Sequence, residues 1–422
     1  MKKSIHPLEI SLGMEYYATD TAGTGGRLRT HPEDFVVEEA PCEVGSDGPY
    51  LICRLTKKDW ELQRAAKEIS KILGISHRRI GWSGTKDKHA LTRQLISIYG
   101  ATPEEVERVG LKDLDLEVVG RSKAALSLGS HQANRFRITI RETTGDDLAG
   151  QVEEVAAGCR DGIPNYFGIQ RFGVIRPVTH LVGEHILHGD FEGAVCCYVG
   201  RACPGEPESV QEARNDFLES RDAVRGLHAL PVPLTYERSI LHHLAASPGD
   251  YDGALRVLPP KLLSMFVSAF QSFLFNKTLS ARMEAGRSLS SPSPGDRLVF
   301  DGGREDRVTE GNMRAAAVQL KRGRCRIAIF IPGSRVFEPG GPDDEVMASL
   351  LSDYAITPED FGRAAEFVHV RYNGALRPAS LSTDVITEIR GNDLDLSFSL
   401  PPGHYATTVC REFMKSDPLQ MI

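Results

Sequence analysis

In the stretch GWSGTKDKHALTRQ, residues 81–94, one carboxylate, Asp87, stands between Lys86 and Lys88 behind a glycine that lets the chain turn. A solvated salt-bridge loop has this composition. So does a carboxylate kept ionised for chemistry, because neighbouring cations favour the charged form. Ordinary glycosidases need two carboxylates, one for the leaving group and one to attack or to activate water. An isomerisation at a glycosidic bond adds no water and releases no sugar, so one carboxylate beside an oxocarbenium-like carbon can suffice. A phosphate-cradling loop is excluded by order: it requires G-x-x-x-x-G-K-[ST], whereas here Thr85 separates Gly84 from Lys86 and an acid follows.

The loop NYFGIQRFG, residues 165–173, sets Tyr166, Phe167 and Phe172 among Asn165, Gln170 and Arg171. An unstacked nucleobase needs a π-face, an amide to read its edge and a cation for its phosphate, and all three are present. Core packing is the ordinary fate of such rings; the adjacent polar residues favour a binding loop. The run Lys321-Arg322-Gly323-Arg324-Cys325-Arg326 suits phosphate contacts or a solvated basic loop equally. His180, Glu184 and His188 share one helical face, a metal-compatible spacing, but no third histidine or cysteine lies near in sequence. His242-His243 and Asp343-Asp344-Glu345 read most simply as surface or loop residues.

These groups need elements to position them. Phe35-Val36-Val37 reads as a short strand after the turn at Pro32. Leu62, Ala65, Ala66, Ile69, Ile72 and Leu73 recur at helical spacing, with Asp59 as cap, Glu61 in the first turn and Gly74 as stop. Asp87 then falls on a loop between a strand near Ile80-Gly81-Trp82 and one near Leu95 to Tyr99, a sheet-anchored place to present a side chain. Arg135 to Arg141 alternates as a half-buried strand, and Leu148, Val152, Val155, Ala156 and Cys159 mark a helix. From about Asp190 helical patterns dominate, including Lys261 to Ser280. Strands are expected again at Val368 to Tyr372, Val385 to Ile389 and Leu394 to Phe398, with a final helix from Tyr405 to Lys415.

A chain of 422 residues is long for one core, so two or three domains are expected. The net charge of −7 excludes a wholly basic nucleic-acid coat protein but leaves room for a local basic cleft. The eight cysteines include no C-x-x-C pair, which points to reduced, partly buried thiols. No signal-peptide pattern and no uncharged stretch long enough to cross a bilayer is present, so a cytoplasmic location is expected.

GWSGTKDKHALTRQ resembles the central motif of the TruD family of pseudouridine synthases, G-x-K-D-x-x-A-x-T-x-Q. Others follow in family order: RLRTHPEDFVVEE resembles the N-terminal element, KKDWELQRAAKEISKILGI the next helix, NYFGIQRFG the base-contacting loop, SAFQSFLFN the inserted-domain signature and GHYATTVCREFMK the C-terminal element. The resemblance implies an α+β fold: a catalytic domain with a central mixed, mostly antiparallel sheet flanked by helices, plus an inserted α/β TRUD domain. On that basis residues 1–185 and 367–422 form the catalytic domain and 186–366 the insertion. It also implies a cofactor-free isomerase, with no metal, that converts uridine to pseudouridine in tRNA at uridine 13.

Through the resemblance Asp87 matches the catalytic aspartate, Phe167 an aromatic beside the target base, Asn165 a substrate-contacting asparagine and Phe35 an aromatic of the same pocket. Tyr405 occupies a position that is often phenylalanine, and Arg29 one that is often lysine. Arg29 or Lys86 is expected to pair with Asp87, and Arg171 to contact RNA, with the substrate held in a basic cleft between the two domains. A non-catalytic RNA-binding protein or tRNA chaperone is the alternative, but it gives Asp87 no task. A Schiff-base enzyme using Lys86 or Lys88 gains nothing from NYFGIQRFG.

Overall fold

The computed structural model describes residues 1–40, 44–127, 129, 131–145 and 147–421. It divides into two compact units: a first of Met1–Ala18 with Ile163–Leu381, and a second of Thr19–Gly162 with Ser382–Ile422. The fold is α+β, and each unit has its own sheet.

The second unit is built on β1 (Phe35–Glu39), β2 (Tyr50–Lys58), β3 (Ile80–Trp82), β4 (Leu91–Tyr99), β5 (Leu114–Ser122), β6 (Asn134–Ile140), β7 (Ile386–Arg390) and β8 (Asp393–Leu400). Among the described residues these form one mixed sheet in the order β7-β8-β6-β1-β4-β2-β5, with β3 added to β4. Only β1 and β4 run parallel; every other pair is antiparallel. Side chains alternate across the pleat, so Leu51, Cys53 and Leu55 of β2 share a face with Ile96 and Ile98 of β4. The helix Leu62–Ile72 covers that face with Leu62, Ala65, Ala66 and Ile69, all buried.

Glu61, not Asp59, caps this helix, accepting from the backbone N–H groups of Gln63 and Arg64 at 2.9 and 2.6 Å. Asp59 instead adopts a left-handed backbone (φ 57°) and faces His89. Gly74 stops the helix at φ +64°, where a side chain would be strained. The final helix, Ala406–Met414, is buried along its whole length. Thr24 N–H donates to Phe413 O at 2.8 Å and Leu28 N–H to Gln420 O at 2.9 Å, which ties the segment before Arg29 to the C-terminus.

The first unit packs around the helix Pro260–Glu284, whose Phe266, Phe270, Leu274 and Phe275 are buried. Its antiparallel sheet runs in the order Glu305–Arg307, Arg297–Phe300, Cys325–Ile331, Ala375–Pro378. The strand expected at Val368 to Tyr372 is absent. Val368 instead ends the helix Pro358–Val368, because Phe361, Ala364, Phe367 and Val368 continue a helical apolar stripe from the Thr357 cap. Asp343 and Asp344 are not surface residues. Asp343 meets the buried Arg282, and Asp344 pairs with Arg297 at 2.7 Å and Arg307 at 2.9 Å.

Seven cysteines are free and buried; Cys42 lies outside the described residues. No helix among the described residues is long and apolar enough to cross a membrane.

Candidate active site

The sheet face covered by Leu62–Ile72 changes character along its strands. Beyond Leu55 of β2 comes Lys57, whose register partner on β4 is Thr92; Gln94 follows opposite Leu55. On β1 the same face carries Phe35, Val37 and Glu39, since Val37 pairs with Thr92 across the parallel step. Lys57 and Thr92 are fully buried, and Gln94, Glu39 and Phe35 nearly so. Polar groups are costly at such sites unless they are hydrogen-bonded, and here the bonds of Lys57, Gln94 and Glu39 converge on the 83–87 loop.

Glu39 receives Ser83 Oγ at 3.0 Å, Lys86 Nζ at 3.0 Å and the Leu95 backbone N–H at 3.1 Å. Gln94 Nε2 donates to Gly84 O at 2.9 Å. Lys57 Nζ donates to the backbone carbonyl of Asp87 at 2.8 Å. The glycine at 84 provides space rather than a special turn: a Cβ there would stand 2.7 Å from Lys86 Nζ. The loop is therefore braced from the sheet side by three side chains, Glu39, Gln94 and Lys57, and Asp87 projects from it with its side chain 45% exposed.

Of the two cations expected beside Asp87, only Arg29 is there, with Nη2 3.2 Å from Oδ1. Lys86 turns inward to Glu39. Arg29 lies in the left-handed region (φ 57°), a cost that a non-glycine residue bears only where its surroundings fix it. Its guanidinium stacks on the Phe35 ring, 4.3 Å from the centroid, and that ring meets Phe136 edge-on at 6.3 Å. Phe35, only 1% exposed, is thus the platform on which Arg29 rests. Cys410 of the final helix lies close enough for the Arg29 charge to oppose the upward shift that burial imposes on its thiol. Tyr405 takes the N-cap position of that helix, half-buried.

Asn165, Phe167 and Arg171 come together within the first unit. Asn276, from the long helix, brackets the Phe167 backbone, accepting from its N–H at 2.9 Å and donating to its carbonyl at 3.0 Å. The Phe167 ring is edge-on to Phe275 at 5.4 Å, with Arg377 Cζ 4.0 Å and Arg171 Cζ 5.8 Å from its centroid. The Asn165 amide is engaged at both ends, accepting from Arg377 Nη2 and donating to Pro378 O, each at 2.9 Å. A cavity of about 290 Å³ opens beside Phe167 and Arg171, lined also by Gln271, Arg371, Tyr372 and Asn373. Tyr166 and Phe172 of the same loop are core residues.

His180, the first residue of the metal-compatible spacing set aside above, is a core residue too. His180 stacks on Phe273 at 5.1 Å, and burial pushes its pKa down to about 4. Among the described residues no three His, Cys, Asp or Glu side chains cluster as a metal site would require. Glu39, Lys57, Asn276 and Arg377 were missed in the sequence. Lys57 carried a signal, because it continues the alternation Leu51, Cys53, Leu55 into the buried face.

Residues 11–413 match the family model described as tRNA pseudouridine synthase D (TruD). The chain is 38% identical to a probable tRNA pseudouridine synthase D of Methanococcoides burtonii, covering 98% of each. It is 40% identical to the corresponding Methanosarcina mazei protein, over 98% of this chain and 99% of that one. The crystal structure of the putative TruD from Methanosarcina mazei superposes with a TM-score of 0.84 at 38% identity, over 98% of both chains. The chain belongs to the TruD family.

Proposed function

We propose that this protein is a tRNA pseudouridine synthase that isomerises uridine 13 of tRNA, with Asp87 beginning the cleavage of the N1–C1′ bond of a flipped uridine. The observation that carries the reading is the setting of Asp87: a partly exposed carboxylate paired with Arg29, on a loop braced through Lys57, Gln94 and the Glu39–Lys86 pair. A loop serving only as a solvated ion-pair surface has no need of four buried polar side chains behind it.

Cleavage starts by carboxylate attack at C1′ or by removal of the 2′ proton. The freed uracil turns, C5 bonds to C1′, the C5 proton departs and N1 is protonated, so the product is an isomer of the substrate. A flipped base must be held while it turns, and stacking supplies a hold that tolerates rotation in the ring plane. Phe167, flanked by Arg171 and Arg377, is the aromatic surface of the first unit that we assign to RNA. Asn165 acts there by holding Arg377 over the ring; in the second unit we assign Tyr405, at the N-cap of the final helix, to substrate binding. None of these steps calls for a cofactor.

The test is release of tritium from tRNA carrying 5-tritiated uridine, with the product position mapped chemically. Wild type should release it from one position, and Asp87→Asn should bind tRNA while losing turnover by about a thousandfold or more. Retained turnover in Asp87→Asn removes Asp87 from the mechanism; a product elsewhere than position 13 corrects the site.

A further inference from the structure

We propose that Lys57 is a positioning residue for the reaction at Asp87: its buried ammonium holds the Asp87 backbone carbonyl and thereby fixes the direction in which the carboxylate points. The proposal deepens the reading of Asp87 above and rests on it.

Lys57 stands at a costly place for a cation. It lies at the end of β2 on the face where Leu51, Cys53 and Leu55 meet the helix Leu62–Ile72. A leucine or methionine there would extend the core at no electrostatic cost. An ammonium at a fully buried position is expensive and persists only with a matched partner. That partner is not a side-chain carboxylate but the carbonyl of Asp87 at 2.8 Å. A hydrogen bond to this oxygen fixes the peptide plane directly after the Asp87 Cα, and with it the path of the Cα–Cβ bond. Arg29 then fixes the far end of the same side chain at 3.2 Å, so the residue is held at backbone and at tip by cations from two different segments.

The groups around the ammonium support the same role. Burial pushes the Lys57 pKa down to about 8; Asp87, Glu61 and Asp59 favour its charge, and Lys86 opposes it. The strands on either side present Thr92 and Leu114, neither of which titrates in this range. Lys57 is therefore charged at neutral pH and loses its charge as the pH rises through about 8. A neutral amine is a weaker donor to the carbonyl and leaves the carboxylate without a buried countercharge.

The test is the single-turnover rate of tritium release at saturating enzyme, measured across the pH range on either side of that value. Wild type should slow on the alkaline side, with tRNA affinity unchanged. Lys57→Arg, whose guanidinium stays charged, should lose the alkaline limb. Lys57→Met should be slowed about a hundredfold at every pH, the cost of a small misplacement of a reacting group, with affinity retained and folding verified by circular dichroism. If Lys57→Arg does not fold, Lys57→Gln, a permanently neutral donor, should be pH-independent at the alkaline wild-type level. A wild-type rate that stays flat across the range, or a folded Lys57→Met with the wild-type rate, overturns the proposal. Full turnover in Asp87→Asn overturns the parent reading, whereas lost turnover in Asp87→Asn together with a flat wild-type profile or a wild-type rate in Lys57→Met overturns this proposal alone.

Discussion

Lys86 Nζ lies 3.0 Å from Glu39 Oε1 with both side chains buried, so one of the two cations flanking Asp87 in the chain neutralises a different carboxylate. Breaking a buried pair leaves the other charge uncompensated, at a cost of about 3–5 kcal/mol. Lys86→Met should therefore lower the urea midpoint of the second unit sharply, whereas Lys86→Met combined with Glu39→Leu should recover part of the loss. Both tryptophans, Trp60 and Trp82, lie in this unit, so their fluorescence reports its unfolding. A Lys86→Met midpoint equal to wild type would mean that the pair does not hold the loop.

Arg29 reaches Asp87 from a guanidinium seated on Phe35. Removing the ring should cost about 1 kcal/mol of that seating. Phe35→Leu, which keeps the core filled, is expected to slow turnover about fivefold with little change in tRNA affinity. Arg29→Met should slow it considerably more, and Arg29→Lys should fall between, since it keeps the charge but not the planar stack. Equal kcat values in Phe35→Leu and wild type would separate the platform from catalysis.

Phe167→Leu preserves apolar volume beside Phe275 while removing the π-face. Stacking of a base is worth about 1–3 kcal/mol, so kcat/KM should fall roughly tenfold or more with the fold intact. Asn165→Ala should give a smaller loss by releasing Arg377 from the ring. The readout is tritium release at limiting tRNA. An unchanged kcat/KM in Phe167→Leu would withdraw the assignment of this surface to RNA.

His180 gives the first unit a defined response to acid. Its ordinary value of 6.5 is pushed down to about 4 by burial, so between these values the unfolded chain binds a proton that the folded one refuses. Its contribution is fully present above pH 6.5 and is lost as the pH falls towards 4, amounting to roughly 3 kcal/mol. Hydrogen exchange of the helix Thr179–His188 should accelerate over that interval in wild type, and much less in His180→Leu.

The sequence made Asp87 conspicuous because its neighbours are charged, and it made the helix Leu62–Ile72 readable because apolar spacing and a terminal glycine agree. What stayed hidden depends on pairing between distant strands. Glu39 reads as one of two acids at a strand end, and only the parallel register of β1 with β4 brings it under Ser83 and Lys86. Lys57 is followed by Lys58, and the pair resembles a solvated strand terminus until the pleat assigns them to opposite faces. Val368 to Tyr372 misled because β-branched residues mark strands only weakly, and the apolar stripe of the preceding helix outweighed them. Asn276 looked like one more residue of an amphipathic helix; its role appears only when the 165–173 loop is laid across it.

The central strand β6 of the second unit receives its outer partner, β8, only after the whole of the first unit's main segment, Ile163–Leu381, has been made. During synthesis the N-terminal part of that sheet must wait with an open hydrogen-bonding edge, a hazard for stray pairing. The segment leading to Arg29 is fastened to Phe413 and Gln420, which are made after all of that segment. A nascent chain therefore cannot assemble the carboxylate setting before the final helix has been made.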